Sequence, residues 1–294
     1  MNIKRNADGK LEIMTGVFER ALYAVKTGMN GHKYVDRASV TDNVFHVVTD
    51  GNSKTGAGVI NVNFPIEYTC DHRCECYKLA RCYASGGCYS YSSNQAGYSE
   101  NFNFWLKSSV TEMANVFQLA IDATGARLFR YFTCGDIPDG FFLRAMVKTA
   151  QNNPGVKFWA YTKRYAIVNA YIDRGGIIPD NLVIIFSHWM NDNGTYFPMD
   201  NRTGRATSEF IPLGKEHLAQ TVTHICPCSD PSVVATCATC DHPCYDLKPG
   251  ESMALMEHST ARTKSRDKAI KASKEALRAA GGAVKKLARA IAGA

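Results

Sequence analysis

Residues 156–187 read VKFWAYTKRYAIVNAYIDRGGIIPDNLVIIFS. Two apolar segments, Val156–Tyr161 and Leu182–Ser187, flank a stretch with helical periodicity, Tyr165–Arg174, which ends at two consecutive glycines. A strand, a helix and a second strand within about thirty residues indicate a βαβ unit with parallel strands. This unit sets the fold class that we expect for the chain.

The same alternation continues toward the N-terminus. It comprises Val59–Phe64 as a strand, Glu100–Ala123 as a helix, Arg127–Phe132 as a strand and Phe141–Gln151 as a helix. We therefore predict an α/β fold, a partial parallel β/α barrel, in which ligands bind at the carboxyl ends of the strands. Residues 1–56 read as irregular, apart from one amphipathic helix near Gly16–Lys26.

The composition of the chain predicts four regions. They are an N-terminal extension (1–50), an α/β core (51–225), a cysteine-rich metal-binding region (226–258) and a basic helical tail (259–294). The regular pattern weakens after Trp189, and residues 190–224 read as a polar stretch with a strand near its end.

The positive charge of the chain is concentrated in the tail. The formal net charge is +7, and residues 259–294 carry ten Lys or Arg against Asp267 and Glu275, a local net of +8. The tail could contact nucleic acid non-specifically through phosphates. Its apolar face at Val284–Ile291 also allows docking on the protein body or at a membrane surface, and a solvated Ala-rich helix is the simplest alternative.

No apolar run approaches the roughly 18 residues that a transmembrane helix needs. The N-terminus, Met1 to Glu12, is polar and has no apolar segment typical of a secretory signal. We therefore expect no transmembrane segment and a cytoplasmic location.

Eleven cysteines are the strongest chemical signal, and ten of them lie in two groups of five. In a reducing cytoplasm, clustered thiols hold metal more often than they form disulfides. The first group consists of Cys70, Cys74, Cys76, Cys82 and Cys88. It follows a predicted strand, and such a loop lets several thiolates converge on one iron–sulfur cluster. A structural zinc site, or unligated thiols packed as small hydrophobic groups, is the alternative.

The second group consists of Cys226, Cys228, Cys237, Cys240 and Cys244. Cys237-x2-Cys240 is a chelating pair, and Cys226 and Cys244 complete a four-thiolate site with Cys228 as a spare or substitute. A closed four-thiolate site has no vacant position. The pattern therefore predicts a second metal centre that is either structural zinc or an auxiliary iron–sulfur cluster, and the cysteine count does not separate the two.

A set of further motifs spans about residues 52 to 258. They are Asn52-x-Lys54-Thr55-Gly56, Pro65, Thr69-Cys70, Cys82-Tyr83-Ala84, Arg130, Gly135-Asp136, Pro154, Phe158-Trp159-Ala160-Tyr161-Thr162-Lys163, Cys226-Pro227, Cys237-x2-Cys240-x3-Cys244 and His258. With these motifs the chain resembles the phage gene-product-88 family, which occurs in bacteriophages and related mobile elements. If the protein is encoded by a phage, the expected cytoplasmic location is that of the bacterial host cell.

The resemblance implies an architecture similar to that of radical S-adenosylmethionine (SAM) enzymes, with a cysteine loop after the first barrel strand and a glycine motif after the second. By that analogy three cysteines of the first group hold a [4Fe–4S] cluster, and SAM binds its fourth iron. Gly135 and Asp136 would then lie near the amino group of SAM.

The resemblance favours Cys70 and Cys82 as the outer cluster ligands. The middle ligand is Cys74 or Cys76, and we choose Cys76 because five residues separate it from each neighbour. The spacing Cys70-x3-Cys74-x1-Cys76 is one residue shorter than the C-x3-C-x2-C spacing of radical SAM enzymes.

Several other residues at predicted strand ends have two interpretations. Asp136 could accept a hydrogen bond from a ligand amine and Arg130 could bind a carboxylate, whereas Asp136 or Asp139 could instead cap the next helix. Cys134 is a weak candidate for a catalytic thiol or hydrogen-atom donor, and buried packing is its alternative. Lys163 either points into the site or is solvated.

Three aromatic or imidazole side chains are assigned structural roles. Trp159 and Tyr161 alternate onto one face of their strand, where they would form core or pocket wall. His188, at a strand end, is expected to be hydrogen-bonded rather than a metal ligand.

Two functions remain in competition. The first is a radical SAM-like iron–sulfur enzyme that acts on an unknown substrate. The second is a non-enzymatic phage protein, stabilised by zinc or an iron–sulfur cluster, that associates with nucleic acid through residues 259–294.

Overall fold

The structure is a computed structural model that describes residues 55–70, 82–85, 89, 91–190, 193–212, 224–229 and 235–257, together with the backbone of five strands nearer the N-terminus. The chain divides into a compact unit, residues 1–256, and a second unit, residues 257–294. Cys74, Cys76, Cys88 and the predicted basic tail lie outside the described residues.

Apolar runs form the centre of the sheet. The segment Leu182–Trp189 is apolar at nearly every position, which is typical of a parallel strand buried on both faces. The strands are β1 (Asn2–Arg5), β2 (Leu11–Thr15), β3 (Glu19–Thr27), β4 (Lys33–Ala38), β5 (Val47–Val48), β6 (Val59–Val62), β7 (Leu128–Tyr131), β8 (Lys157–Thr162), β9 (Leu182–Trp189), β10 (Thr207–Ile211), β11 (His224–Ile225) and β12 (Ser252–Met256).

These strands form one open sheet in the order β1-β2-β3-β4-β5-β6-β7-β8-β9-β10-β12-β11. The pairs from β1 to β6 are antiparallel. The seven strands from β6 to β11 pair in parallel, with Val62 beside Tyr131 and Tyr131 beside Ala160. The predicted α/β class and its parallel sheet are confirmed.

Helices cover one face of the parallel sheet. They are α1 (Ile66–Thr69), α2 (Ser92–Lys107), α3 (Val110–Thr124), α4 (Gly140–Asn152) and α5 (Tyr165–Asp173). Their apolar side chains pack on alternate residues of β6 to β9, among them Phe129, Tyr131 and Phe158. Because side chains alternate along a strand, Trp159 and Ile185 face the opposite side, where residues of the cysteine-rich region cover them. The predicted shared face of Trp159 and Tyr161 is confirmed.

Two predicted helices are wrong. In the segment Gly16–Lys26, residues 19–26 belong to β3, which pairs along its two edges with β2 and β4. The prediction that residues 1–56 are otherwise irregular is also wrong, because β1 to β5 lie there. The single helix Glu100–Ala123 is two helices, α2 and α3, because Ser109 starts a new one. The Ser109 hydroxyl accepts the amide of Glu112 at 3.2 Å, and the Glu112 carboxylate accepts the amide of Ser109 at 2.7 Å. This reciprocal capping outweighs the continuous apolar periodicity.

Candidate metal centres

Asn63, just beyond the end of β6, fixes the loop that follows β7. Its side-chain oxygen accepts hydrogen bonds from the amide of Thr133 at 2.8 Å, the hydroxyl of Thr133 at 2.8 Å and the amide of Cys134 at 2.9 Å. Asn63 is buried, so these donors have little access to water. The two strand ends that carry the predicted site are therefore held together by one side chain.

Gly135 lies where the loop after β7 passes very close to β6. Its φ of +88° belongs to the left-handed region that favours glycine. A Cβ at this position would lie 2.7 Å from the carbonyl oxygen of Phe64 and 2.9 Å from the hydroxyl of Thr69. The glycine is thus required by both backbone conformation and space.

The buried carboxylate of Asp136 connects the ends of β7 and β8. Oδ1 accepts the hydroxyl of Thr162 at 2.6 Å and the amide of Ile137 at 2.7 Å, and Oδ2 accepts the amide of Lys163 at 2.9 Å. Burial raises the pKa of Asp136 above its ordinary value, and these hydrogen bonds oppose that rise. The predicted cap of α4 is Asp139, whose side chain accepts the amide of Phe142 at 2.8 Å.

Three cysteines lie together at this carboxyl edge of the sheet: Cys70, Cys82 and Cys134. Cys134 is buried, and Cys70 and Cys82 are partly buried in the same cluster. The cluster is completed by Ile66, Ala84, Tyr89 and Tyr98. Burial raises the pKa of Cys70 above its ordinary value, nearby Asp136, Cys82 and Cys134 raise it further, and Lys163 lowers it. The structure thus places Cys70 and Cys82 together, whereas the third predicted ligand, Cys76, lies outside the described residues.

Lys163 lies at the same edge, one residue beyond β8. Its ammonium group donates to the hydroxyl of Ser187 at 3.3 Å and lies 4.9 Å from the ring centre of Trp189. This position between β8 and β9 supports the interpretation in which Lys163 points toward the site.

The imidazole Nε2 of His188 lies 2.9 Å from the carbonyl oxygen of Phe197, which fits its predicted role as a hydrogen-bonded histidine.

The second cysteine group lies against the face of the sheet that the helices leave uncovered. All five cysteines of this group line one cavity of about 10 Å³, together with Trp159, Pro243 and Tyr245. Trp159 contacts Tyr245, with ring centres 5.1 Å apart. The predicted ligands Cys226, Cys237, Cys240 and Cys244 are therefore neighbours in space.

Two side chains of the sheet reach into this second group. The hydroxyl of Tyr161 donates to the sulfur of Cys244 at 2.8 Å. Burial raises the pKa of Cys237, and the positive charge of Arg130 lowers it. Arg130 also lies over the ring of Tyr161, 5.3 Å from its centre. Arg130 was predicted from sequence to bind a carboxylate of the cofactor, and the contacts seen here are with the second cysteine group.

Among the described residues, no three His, Cys, Asp or Glu side chains are already grouped as ligands around one point. The sulfurs of the second group instead hydrogen-bond neighbouring groups. Burial raises the pKa of Cys244 to about 12 and that of Cys228 to about 12, so the local environment disfavours the charged thiolate at both residues. A bound divalent cation displaces thiol protons, because it stabilises the thiolate directly.

Sequence analysis missed two positions in the candidate sites. Asn63 was part of a strand candidate, although an asparagine within the apolar run Val59–Phe64 signals a buried polar group that needs partners. Tyr161 was assigned to the pocket wall, and no sequence signal shows that its hydroxyl meets Cys244, 83 positions away.

A family model described as Gene product 88 matches residues 46–210, more than half of the chain. No curated protein and no solved structure gives a significant match. Within the described parts of the chain, the helices are too short or too polar to cross a membrane.

Proposed function

The chain belongs to the gene product 88 family, and we propose that it is an iron–sulfur protein whose first cysteine group holds a [4Fe–4S] cluster at the carboxyl edge of the sheet. The observation that carries this proposal is that the side chains of Cys70 and Cys82 pack in the same group of residues, beyond the end of β6. Thiolates are the usual protein ligands of such clusters, so the donor chemistry fits. Cys76 is the proposed third ligand.

The proposal extends to a radical SAM-like enzyme of unknown substrate. Helices on one face of a parallel sheet are the arrangement from which β/α barrels are built, which supports a partial barrel. When bound, the cluster and SAM would together supply an electron transfer that cleaves SAM and starts radical chemistry. The polar residues at the carboxyl edge lie where that fold places its ligands.

The chain's own residues offer a place for the SAM amino group beside Gly135 and Asp136. Among the described contacts, Oδ2 of Asp136 accepts only the amide of Lys163, and a carboxylate oxygen has room for a second donor. Gly135 leaves the backbone open to close approach. Cys134, buried beside Cys70, is the candidate for a catalytic thiol.

Anaerobic purification of the full chain tests the proposal. We expect a brown protein with iron and sulfide in equal amounts, about four of each per chain for one cubane. After reduction it should cleave SAM to methionine and 5′-deoxyadenosine. Cys70→Ser with Cys82→Ser should remove the iron and sulfide of this centre, whereas the matched change Cys228→Ser should retain them. A colourless wild-type protein would contradict the proposal. A brown protein that does not cleave SAM would support the iron–sulfur centre and contradict the radical SAM activity.

A second candidate function follows from the small cavity, about 10 Å³, that all five cysteines of the second group line, since a set of cysteines suits a purely structural metal. In that case the protein is a non-enzymatic, metal-stabilised cytoplasmic phage protein that contacts nucleic acid through residues 259–294. A colourless protein that binds DNA in a salt-dependent manner, and loses that binding when residues 259–294 are removed, would favour this candidate.

A further inference from the structure

The turn that follows β7 is strained and tightly held. Phe132 has a φ of +59°, and among the residues that the structure describes it is the only one other than glycine in the left-handed region. Gly135 follows in the same turn with a φ of +88°. A bulky side chain keeps such a backbone only where its surroundings impose it. Here the amide of Phe132 donates to the carbonyl oxygen of Val62 at 2.9 Å, which ties the turn to the end of β6.

Cys134 lies in this turn and is held on both sides of its backbone. Its amide donates to Oδ1 of Asn63 at 2.9 Å, and its carbonyl oxygen accepts the amide of Phe64 at 3.1 Å. The residue is 1% exposed. Buried packing as a small hydrophobic group is the simplest role for such a cysteine. However, the fold fixes this thiol more closely than the packing of a small side chain requires, as it does for residues that orient on a metal.

The segments that carry the other two described cysteines of this edge are tied to the same turn. The hydroxyl of Tyr83 donates to the carbonyl oxygen of Thr133 at 2.9 Å, which anchors the neighbouring Cys82. The end of α1, where Cys70 lies, is anchored because the hydroxyl of Thr69 accepts an amide of the turn at 3.1 Å. The three cysteines therefore pack in one group, together with Ile66, Ala84, Tyr89 and Tyr98.

This grouping suits an iron–sulfur cluster better than a single ion. Among the described side chains, no three ligand-type groups converge on one point. Each thiolate of a [4Fe–4S] cluster binds a different iron, so its cysteines surround the cubane and do not converge on one atom. With Cys70, Cys76 and Cys82 as the proposed ligands, one iron lacks a protein ligand. Cys134 is the remaining thiol that the structure places in the same group.

We propose that Cys134 is the fourth ligand of this cluster when SAM is absent, and that SAM displaces its thiolate in order to bind. The inference rests on the proposed function, because it concerns the regulation of the same centre. In the exchange, the bond between the iron and Sγ of Cys134 breaks, and the amino nitrogen and a carboxylate oxygen of SAM bind that iron. The Cys134 thiolate takes the proton that the amino group of SAM releases, and no electron is transferred. Cys134 thus protects the cluster until SAM arrives and then becomes a protonated thiol beside the cofactor.

The test uses the full chain, purified anaerobically with its cluster, and compares Cys134→Ala with Ile66→Val. Each change removes one heavy atom from the same buried group, and only the first removes a thiol. Mild oxidation removes an iron that has no protein ligand, which leaves a [3Fe–4S] cluster with its own electron paramagnetic resonance signal. We expect this signal to be several-fold larger in Cys134→Ala than in the wild-type protein and unchanged in Ile66→Val. The signal of the Cys70→Ser, Cys82→Ser protein is subtracted, so that a cluster in the second cysteine group does not contribute.

Binding of SAM to the unreduced protein, measured by equilibrium dialysis, gives a second readout. SAM should bind Cys134→Ala several-fold more tightly than the wild-type protein, because no thiolate has to be displaced, and Ile66→Val should bind it as the wild type does. Cys134→Ser should resist oxidation but show a changed resonance signal, since a serine oxygen can bind iron in place of sulfur. If Cys134→Ala does not fold by circular dichroism, the serine variant decides.

Several results would overturn the inference while leaving the iron–sulfur centre intact. One is a wild-type protein that forms as much [3Fe–4S] cluster on oxidation as Cys134→Ala does, and another is a serine variant whose resonance signal is unchanged. Equal affinities of the wild type and Cys134→Ala for SAM, or no binding to either, would contradict the displacement. If Ile66→Val behaved like Cys134→Ala, the effect would come from packing. A wild-type protein without iron would overturn the proposed function itself, so the two failures are distinguishable.

Discussion

The hydroxyl of Tyr161, on β8, donates a hydrogen bond to the sulfur of Cys244 across 2.8 Å, although the two residues are 83 positions apart. The neighbouring Trp159 contacts Tyr245 from the same face of the strand. The cysteine-rich region is therefore part of the core of the protein rather than a separate appended module.

Tyr161→Phe should lower the free energy of unfolding by about 1 kcal/mol, because it removes one partly buried hydrogen bond without changing the packing. The matched change Tyr171→Phe removes only a long 3.4 Å contact of an exposed hydroxyl and should have little effect. Urea unfolding of the two variants, followed by circular dichroism, compares them. Equal stabilities would show that the bond to Cys244 contributes nothing.

Gly135→Ala should destabilise the protein by roughly 2–4 kcal/mol, because the new Cβ meets the Phe64 carbonyl at a positive φ. Gly140→Ala is the control, since a Cβ there meets no atom within 4 Å. Thermal unfolding measures both. If Gly135→Ala is as stable as Gly140→Ala, the loop after β7 is free to move away from β6.

Asn63→Ala should cost roughly 2–3 kcal/mol of stability, because it leaves buried donors of Thr133 and Cys134 without an acceptor. It should also increase amide hydrogen exchange at Cys134. Asn152→Ala, at an exposed position of α4, is the matched change and is expected to be nearly neutral. Hydrogen exchange that stays slow at Cys134 would argue against Asn63 as the residue that fixes this loop.

Asp136→Asn should destabilise the protein by roughly 1–3 kcal/mol, because an amide places an N–H₂ group against one of the donors that the carboxylate now accepts. Asp139→Asn provides the comparison, since asparagine caps a helix about as well as aspartate. Chemical denaturation would measure both free energies. If Asp136→Asn left the free energy of unfolding unchanged, an amide would connect β7 and β8 as well as the carboxylate does.

Removal of metal from the second cysteine group should lower the midpoint of thermal unfolding, because ligation is coupled to packing of the cysteine-rich region on the sheet. Anaerobic chelation followed by calorimetry measures the effect, and restoring Zn²⁺ should reverse it. An unchanged midpoint after complete removal would show that this region packs without metal.

The central sheet was predictable because its signal is local. Short apolar runs that alternate with a helical pattern, as in Val156–Tyr161, Tyr165–Arg174 and Leu182–Ser187, indicate parallel strands. The N-terminal strand β3 was missed because its pairing with β2 and β4 depends on partners that its own sequence does not reveal. The break between α2 and α3 was missed because capping at Ser109 interrupts an unbroken apolar pattern.

The candidate sites were predictable as sets of cysteines but not as geometry. Spacing grouped Cys226 with Cys237, Cys240 and Cys244, and the structure brings these side chains to one cavity. Arg130 was assigned to the first site together with Gly135 and Asp136, as a residue that could bind a carboxylate. Alternation along the strand turns it to the opposite face, which only the folded sheet reveals.

The apolar face that carries Trp159, Ile185 and Met253 is covered by a segment with little regular structure of its own. If these thiols hold a metal ion, as proposed, loss of that ion would loosen the segment and expose an apolar surface of a kind that promotes aggregation and proteolysis. The lifetime of the protein in the cell would then follow the supply of metal, so that scarcity of metal would remove the protein before it altered any chemistry at the carboxyl edge of the sheet.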